Sequence, residues 1–357
     1  MSQSPTAEGL PAGMVIDGRY RIVEKLGQGG FAVVYLANQV VMGRNVAIKV
    51  MNPWSEEMDR TYPTRFAQEA QIAARLHHPN VVEVYDYGVL ANTNQPYMVM
   101  ELLEGHDLEE ELRRNGPMAR DRVFRLFRPL LDAMAEGHRM GIVHKDLKPA
   151  NLHILSPGTE SERLKVMDFG VARVSTNGAR LTTAGQMMGT PRYLAPEYIR
   201  KQIVTPAIDV YQIALIMSEA LCGRPAVPGT CTEAMIRHAE GRLDIDDFLR
   251  EGAVGDVFRR ALNLDYKQRY TDCGEFAKAL DSVASYFGCE AQKDSAGTSG
   301  GESKDEHLDA PNREEVLYSS QENLRRLHDL RSKLIVVLVI GVLFIAGVVI
   351  AYLAITR

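Results

Sequence analysis

Cysteine is scarce in this sequence. Four occur among 357 residues, with no Cys-x-x-Cys pair and no histidine at the spacing of a zinc site. This pattern excludes a disulfide-stapled scaffold and gives no sign of a zinc module, so we expect reduced, packed thiols. Met1–Gly13 also lacks an apolar stretch of signal-peptide length. We therefore expect the folded part to stay in the cytoplasm.

An excess of positive charge is missing as well. Lys and Arg number 41 against 46 Asp and Glu, a formal net charge of -5. This balance gives no electrostatic reason to expect DNA or RNA as a partner. With 45% hydrophobic and 24% charged residues, the composition is that of a folded protein with a substantial core.

Long hydrophobic runs are absent until Leu334–Ile355, which carries no charge. As a helix this segment would rise about 33 Å, enough to cross a hydrocarbon core of about 30 Å. Basic residues precede it, and only Thr356 and Arg357 follow. The positive-inside bias predicts a single-pass membrane protein with a cytoplasmic domain, an outer C-terminus and no outer sensor domain. The basic residues are Arg325, Arg326, Arg331 and Lys333.

The composition divides the chain into five zones. The stretch rich in Gly, Ser, Asp and Glu cannot bury enough apolar area to offset chain entropy, so it reads as a disordered linker. Ser319-x-x-Glu322 has the pattern of a capping box at a helix start. The zones are a flexible N-terminus (1–18), a folded domain (19–287), an acidic linker (288–318), a basic juxtamembrane helix (319–333) and the membrane span (334–355).

Two small residues of the predicted span, Gly347 and Ala351, are four positions apart. Such a pair lets two membrane helices approach closely. A homodimer is therefore one interpretation of the span, and a simple anchor to the lipid bilayer is the other.

A glycine-rich turn, residues 27–32, separates two predicted strands, Tyr20–Leu26 and Val33–Asn38. Such a turn lets backbone N–H groups approach a polyphosphate without obstruction by side chains. No Gly-Lys-Ser/Thr follows, so it is not a P-loop, and it does not open a helix as a dinucleotide-binding turn does. Alone, the pattern is also compatible with an ordinary hairpin.

A lysine follows at the end of a short β-rich run, Val46-Ala47-Ile48-Lys49. Behind a phosphate-binding turn it could reach the α- and β-phosphates as a fixed positive charge. It would then need a carboxylate to hold it. The predicted helix Thr64–His77 offers Glu69, with Phe66 and Ala70 on its packed face.

The segment from His144 to Asn151 and the triplet Asp168-Phe169-Gly170 supply the groups that phosphoryl transfer requires. Asp146 would orient a nucleophilic hydroxyl and accept its proton. Asn151 and Asp168 offer hard oxygen ligands for Mg²⁺, and Lys148 adds a cation near the moving phosphate.

Taken together, these motifs resemble the eukaryotic-type (Hanks-type) serine/threonine protein kinases, in their bacterial membrane-anchored branch. The resemblance covers about residues 19–287. It implies an α+β, bilobal kinase fold with a small β-rich N-lobe and a large helical C-lobe, here joined to one C-terminal transmembrane helix. It also implies ATP as substrate, Mg²⁺ (or Mn²⁺) as cofactor, and proteins carrying Ser or Thr as substrates.

The resemblance assigns roles to further positions. Glu101-Leu102-Leu103 is similar to the adenine-binding hinge, with Met100 as the gatekeeper, and Asp107 is similar to the residue that binds the ribose hydroxyls. The implied catalytic residues are Lys49, Glu69, Asp146, Lys148, Asn151, Asp168 and Thr190. The implied ATP-binding residues are Leu26, Gly27, Gln28, Gly29, Gly30, Phe31, Ala32, Val33, Val34, Ala47, Lys49, Met100, Glu101, Leu103, Asp107 and His153.

Some of the matching residues are better interpreted as structural. Glu197 and Arg269 resemble an ion pair that ties the large lobe together. Asp209-Val210-Tyr211 resembles the buried central helix of the large lobe, and Asp209 is expected to accept hydrogen bonds from the backbone around His144. His144 and Phe169 are expected to pack in the interior and not to shuttle protons.

The sequence departs from the family pattern at four positions. Ala32 replaces the third glycine of the turn, and Ala214 replaces a glycine of the central helix. Lys145 replaces an arginine that grips a phosphorylated loop, and a lysine cannot form the same bidentate fork. His153 replaces the apolar residue under adenine, where an imidazole can still stack.

The predicted substrate class is Ser/Thr, because Lys148 follows Asp146 by two residues and Thr190 is placed to bridge the two. Thr182 and Thr183 are the expected autophosphorylation sites between Gly170 and Gly189. The alternative from another class is a membrane-tethered ATP-binding scaffold that signals without turnover. A kinase of small molecules is a third, more distant interpretation.

Overall fold

The computed structural model describes residues 9–29, 32–52, 66–67, 70–71, 74–168 and 191–289. The chain separates into two units, Met1–Lys293 and Asp294–Arg357, and all of the described residues belong to the first. Among them, no helix is both long and apolar enough to cross a bilayer. The predicted linker from residue 290 on, the juxtamembrane helix, the Leu334–Ile355 span and the Gly347–Ala351 pair lie outside the described residues. These remain predictions.

The described residues of the smaller lobe build one antiparallel, six-stranded sheet. Its order is β1-β2-β3-β4-β6-β5, so sequence neighbours pair except where β6 inserts between β4 and β5. At the start of β2, Tyr20 and Ile22 are buried and Arg21 between them is exposed, so one face there packs on the lobe's core. Strand β6, inside the sheet, is buried from Pro96 to Met100. The strands are β1 (Val15–Ile16), β2 (Tyr20–Gln28), β3 (Ala32–Gln39), β4 (Arg44–Met51), β5 (Val84–Val89) and β6 (Pro96–Glu101).

The folded domain begins earlier than the predicted boundary at residue 19. Ile16 pairs with Tyr20 as the edge strand of the sheet, and Leu10 and Met14 pack against the core of the lobe. The backbone N–H of Ile22 donates to the carbonyl of Met14 at 2.8 Å. Of the described residues in the segment that was predicted to be flexible, Val15–Ile16 thus form a strand of the sheet. The sequence did not reveal this strand, because two paired residues are too short a run to show strand periodicity.

The larger lobe combines helices with a small antiparallel sheet, ordered β7-β8-β9. Its strands are β7 (Gly105–Asp107), β8 (Leu152–Leu155) and β9 (Arg163–Val166). Its helices are α1 (Leu108–Asn115), α2 (Arg120–Arg139), α3 (Pro196–Lys201), α4 (Ala207–Cys222), α5 (Cys231–Glu240), α6 (Gly252–Ala261) and α7 (Cys273–Asp281). Short 3₁₀ turns occupy Pro149–Asn151, Pro191–Tyr193, Asp247–Leu249, Tyr266–Gln268 and Ala284–Phe287.

Helix α4 is the centre of this lobe. Every residue from 207 to 220 is buried, as expected for a helix that is apolar on nearly all sides. The sequence predicted this buried central helix around Asp209, and the structure confirms it. The few polar side chains of α4 are therefore surrounded by protein, and each needs an internal partner.

The two lobes are tied behind the site by the loop before β5. Val81 forms a parallel bridge with Val166 of β9, and the Asn80 side chain donates to the carbonyl of Leu164 at 2.7 Å. This contact holds β9, and therefore the residues that follow it, against the smaller lobe. The predicted α+β, two-lobed architecture is confirmed.

Candidate active site

Lys49 and Asp168 meet between the lobes. Lys49 lies on β4, opposite Val34 of β3 and Met98 of β6. Its Nζ donates to Oδ1 of Asp168, two residues after β9, at 2.8 Å. Burial alone would raise the pKa of Asp168, but the charge and hydrogen bond of Lys49 outweigh it, and the pKa is lowered. The carboxylate is therefore ionised at neutral pH.

Asp168 has a φ of 55°. A left-handed conformation is unusual for a residue other than glycine, and such outliers concentrate at functional sites. Here it occurs where the chain leaves β9 and presents a carboxylate to Lys49.

The predicted partner of Lys49, Glu69, lies outside the described residues. The packed face of its helix is confirmed in part: Phe66 and Ala70 are buried in one cluster with Met51 and Met98. The ring of Phe66 lies 6.0 Å from the Lys49 Nζ. Phe66 therefore lies beside Lys49.

Helix α4 holds the backbone around Asp146 through its residue Asp209. The Asp209 carboxylate accepts hydrogen bonds from the N–H groups of His144 and Lys145, each at 2.9 Å. It also lies 2.8 Å from His138 Nε2. Burial alone would raise the pKa of Asp209, but these donors lower it. The predicted structural role of Asp209 is confirmed.

His144 is fully buried, and both of its ring nitrogens are engaged. Its Nε2 lies 3.0 Å from the carbonyl of Met167, and its Nδ1 accepts from the Asp146 N–H at 3.3 Å. This pattern fixes the Nε2-protonated tautomer. Burial lowers the pKa of the ring, so His144 is neutral and packs as predicted.

Asn151 ends the 3₁₀ turn that follows Asp146. Its side-chain Nδ2 donates to the Asp146 carbonyl at 2.8 Å, and its own carbonyl accepts from the Met167 N–H at 2.9 Å. Lys148 Nζ lies 3.7 Å from Asp146 Oδ2. Asp146, Lys148 and Asn151 therefore lie close together in the segment that precedes β8.

An apolar cluster combines residues of the small sheet with Met167, which follows β9. Ala47, Val82 and Met100 are buried, and Val34 and Leu103 pack against them. This is the shape of surface that accepts a planar, mostly apolar base. The remaining members of the cluster are Val84, Leu102 and Met167.

The predicted phosphate-binding turn closes between β2 and β3. The Gly29 N–H donates to the Ala32 carbonyl at 2.8 Å, and Gln28 pairs with Val33 and Gly27 with Val34 across the hairpin. Leu26, on the same strand, is 48% exposed. Gly30 and Phe31 lie outside the described residues, so their predicted contacts with ATP remain predictions.

Glu101 has a partner that the sequence did not reveal. Lys165 of β9 forms an ion pair with Glu101 and also donates to the Val81 carbonyl at 3.0 Å. Glu101 in addition accepts from the Glu83 N–H at 2.7 Å. The burial of Lys165 could not be predicted from the sequence pattern, because it depends on partners far away in the chain.

Asp107 and His153 face each other across β7 and β8. Asp107 caps helix α1, because its Oδ1 accepts from the Glu110 N–H at 2.8 Å. The other carboxylate oxygen can serve the predicted ribose contact. His153 is partly buried, its pKa is lowered mainly by burial, and its Nε2 has no hydrogen-bond partner among the described residues.

The substrate-side segment is anchored by buried polar pairs. Arg269 forms a bidentate ion pair with Glu197, at 2.7 and 2.8 Å, which confirms the predicted structural pair. Tyr193 donates to Glu219 of α4 at 2.6 Å. Thr182, Thr183, Thr190 and Phe169 lie outside the described residues.

Comparison with known proteins agrees with this geometry. The family model described as "Protein kinase domain" matches residues 20–280. This chain belongs to the protein kinase domain family. The matched residues fall within the predicted domain, 19–287.

The kinase domain is similar to bacterial serine/threonine kinases. It is 35% identical over 271 residues to the probable serine/threonine-protein kinase PknB of Lactococcus lactis, covering 74% of this chain and 42% of that protein. It is 36% identical over 246 residues to the serine/threonine-protein kinase PknL of Mycobacterium tuberculosis, covering 69% and 59%. The chain thus spans about half the length of these relatives. The prediction of a bacterial, eukaryotic-type serine/threonine kinase domain is confirmed.

A solved structure shares the fold. The kinase domain of Mycobacterium tuberculosis PknI, crystallised as a double mutant, superimposes with a TM-score of 0.59 at 26% identity. The match covers 78% of this chain and 100% of that one.

Proposed function

We propose that this chain is an ATP- and magnesium-dependent serine/threonine protein kinase that signals at the cytoplasmic face of a membrane. The observation that carries the proposal is the 2.8 Å contact between Lys49 and Asp168, next to a loop that holds Asp146 and Asn151. No stability argument requires this set of side chains together, whereas phosphoryl transfer requires each of them.

The chain's own groups have distinct tasks in this proposal. Asp146, with its backbone held from both sides, orients a substrate hydroxyl and accepts its proton. Lys148 lies close enough to Asp146 to offset charge on the transferred phosphate. Lys49 positions the α- and β-phosphates while it keeps Asp168 ionised.

The residues present fit a magnesium ion. Asn151 commits Nδ2 to the Asp146 carbonyl, which leaves Oδ1 as the amide atom able to bind a metal. Asp168 commits Oδ1 to Lys49 and retains Oδ2. Two hard oxygen ligands suit Mg²⁺, which otherwise binds water and phosphate oxygens. When bound, the ion would neutralise the charge of the phosphates; Mn²⁺ is the alternative.

Transfer of labelled phosphate from ATP by the full-length chain tests the activity. We expect incorporation into a Ser/Thr-rich protein such as casein, lost on addition of EDTA and in Asp146→Asn. The matched control is Asp132→Asn, since Asp132 is an exposed carboxylate on α2 that pairs with Arg128. Nucleotide binding without turnover in the wild type would instead support the scaffold interpretation.

The membrane part of the proposal rests on the sequence. We infer that Leu334–Ile355 anchors the chain as a single span and that Gly347 and Ala351 allow a homodimer. Leu343→Lys with Ile345→Lys should release the chain from membranes into the carbonate-soluble fraction, because each charge at mid-bilayer costs about 3 kcal/mol. Retention of that variant in the membrane would contradict the span.

Regulation is proposed through Thr182 and Thr183. Lys145 is buried and supplies positive charge, although burial lowers its pKa. The double variant Thr182→Ala, Thr183→Ala should lose most autophosphorylation, while Ser175→Ala, Thr176→Ala should retain it. Full incorporation and full activity in the first variant would refute this assignment.

A further inference from the structure

Gln212 is a buried amide of helix α4 that the kinase motifs do not explain. Its side chain is 1% exposed. It follows Asp209 by three positions, so both side chains leave the same face of the helix. Asp209 accepts hydrogen bonds from the backbone before Asp146. Gln212 contacts the backbone of the residues on either side of Asp146.

Three backbone groups meet the amide of Gln212. Its Oε1 accepts from the Leu147 N–H at 3.2 Å. Its Nε2 donates to the carbonyls of Lys145 and Tyr193, each at 3.1 Å. Because two acceptors face Nε2 and one donor faces Oε1, the orientation of the amide is fixed by its partners.

These contacts connect two parts of the site. Lys145 and Leu147 flank Asp146, and Tyr193 closes the 3₁₀ turn that begins the described substrate-side segment. An apolar side chain of the same length would bury two carbonyls and one N–H without this partner. Buried backbone groups left in this way shift or open the loop that carries them.

We infer that Gln212 is a positioning residue that couples the Asp146 loop to the substrate-side turn at Tyr193. This inference rests on the proposed kinase activity. Gln212 sets the position of Asp146 relative to the protein substrate. Its three hydrogen bonds go to Lys145, Leu147 and Tyr193, none of which is a predicted ATP-binding residue. Its loss therefore affects turnover and protein-substrate binding, but not nucleotide binding.

The test is Gln212→Met in the full-length chain, compared with Ser218→Ala. Ser218 is a matched control because it is buried on the same helix and its Oγ accepts from the Asp246 N–H at 3.0 Å, away from the site. We expect Gln212→Met to lower kcat about tenfold to a hundredfold and to raise the KM for casein. The affinity for a fluorescent ATP analogue should change less than twofold, and Ser218→Ala should retain wild-type kinetics.

Hydrogen exchange supplies a readout that does not need activity. In Gln212→Met the peptides covering residues 144–148 and 191–195 should exchange faster together, while Ser218→Ala leaves both unchanged. If Gln212→Met does not fold, Gln212→Asn, which keeps the amide but shortens its reach, takes its place. Kinetics and exchange like those of Ser218→Ala would overturn the inference. A wild-type chain without phosphate transfer would defeat the proposed function, and the exchange of the two peptides would still decide the role of Gln212.

Discussion

The Nζ of Lys49 lies 2.8 Å from Oδ1 of Asp168, although the two residues belong to different lobes and are 119 positions apart in the chain. Lys49 lies on β4 of the small sheet, and Asp168 follows β9 of the large lobe. The contact therefore joins the two lobes directly at the site. Because the site has residues from both lobes, substitutions in either lobe can test it.

Lys49→Met should lower the rate of phosphate transfer by at least about a hundredfold, since a fixed charge aimed at the phosphates is lost. It should also change the response to acid. Lys49 holds the pKa of Asp168 below its usual value, so the ion pair stabilises the folded state above pH 4, and this contribution is lost as the pH falls below about 3.9. Urea unfolding should show the difference between wild type and variant shrinking from pH 6 to pH 3.

Lys201→Met is the control for that experiment, because Lys201 is exposed at the end of α3. It should retain both the rate and the acid response of the wild type. An unchanged rate in Lys49→Met would mean that the lysine only packs against Phe66.

The Glu197–Arg269 pair should be among the most sensitive in the protein. Both side chains are buried, so Arg269→Met leaves an uncompensated carboxylate in the interior and should cost about 3–5 kcal/mol in the free energy of unfolding. Replacing both residues, as Glu197→Leu with Arg269→Met, should recover part of that loss. Chemical denaturation measures each value.

The exposed pair Arg259–Asp256 provides the comparison. Arg259→Met should have little effect, because solvent screens an exposed pair. Equal losses for Arg259→Met and Arg269→Met would contradict the argument from burial.

The early start of the domain gives a third prediction. Ile16 is 2% exposed and its neighbour Val15 is 43% exposed on the same two-residue strand. Ile16→Ala should therefore cost about 2–4 kcal/mol of unfolding free energy, and Val15→Ala much less. If both substitutions lowered the unfolding free energy only slightly, residues 9–18 would not contribute to the folded domain.

The sequence indicated the candidate catalytic residues more readily than the residues that hold them in place. Asp146, Asn151 and Asp168 stand in compact motifs, so their types and spacing were readable. Lys165 and Gln212 were not, because their partners are backbone atoms or side chains tens of residues away. No local periodicity records such a contact.

The same limit applies to pairing across the fold. The two strands around the glycine-rich turn were predicted to within two residues, since a turn signal separates two apolar runs. The closeness of Lys49 to Asp168 was not predicted, because the sequence pointed to Glu69 as the carboxylate partner of Lys49. Burial of a polar residue such as His138 depends on Asp209, 71 positions later, and only the folded chain brings them together.

His153 gives the last prediction. Its Nε2 is buried without a hydrogen-bond partner among the described residues, so His153→Leu should raise the free energy of unfolding at neutral pH by about 1 kcal/mol. Burial lowers the pKa of His153 in the folded state, so the unfolded chain gains a proton near pH 6.5 that the folded chain does not. This difference weakens the wild type as the pH falls through 6.5, and the variant should lose less stability between pH 7 and pH 5. His144 has a lowered pKa as well and leaves part of the dependence in both proteins. His77→Leu, at an exposed histidine, is the control; if it matched His153→Leu at every pH, burial at β8 would not be the cause.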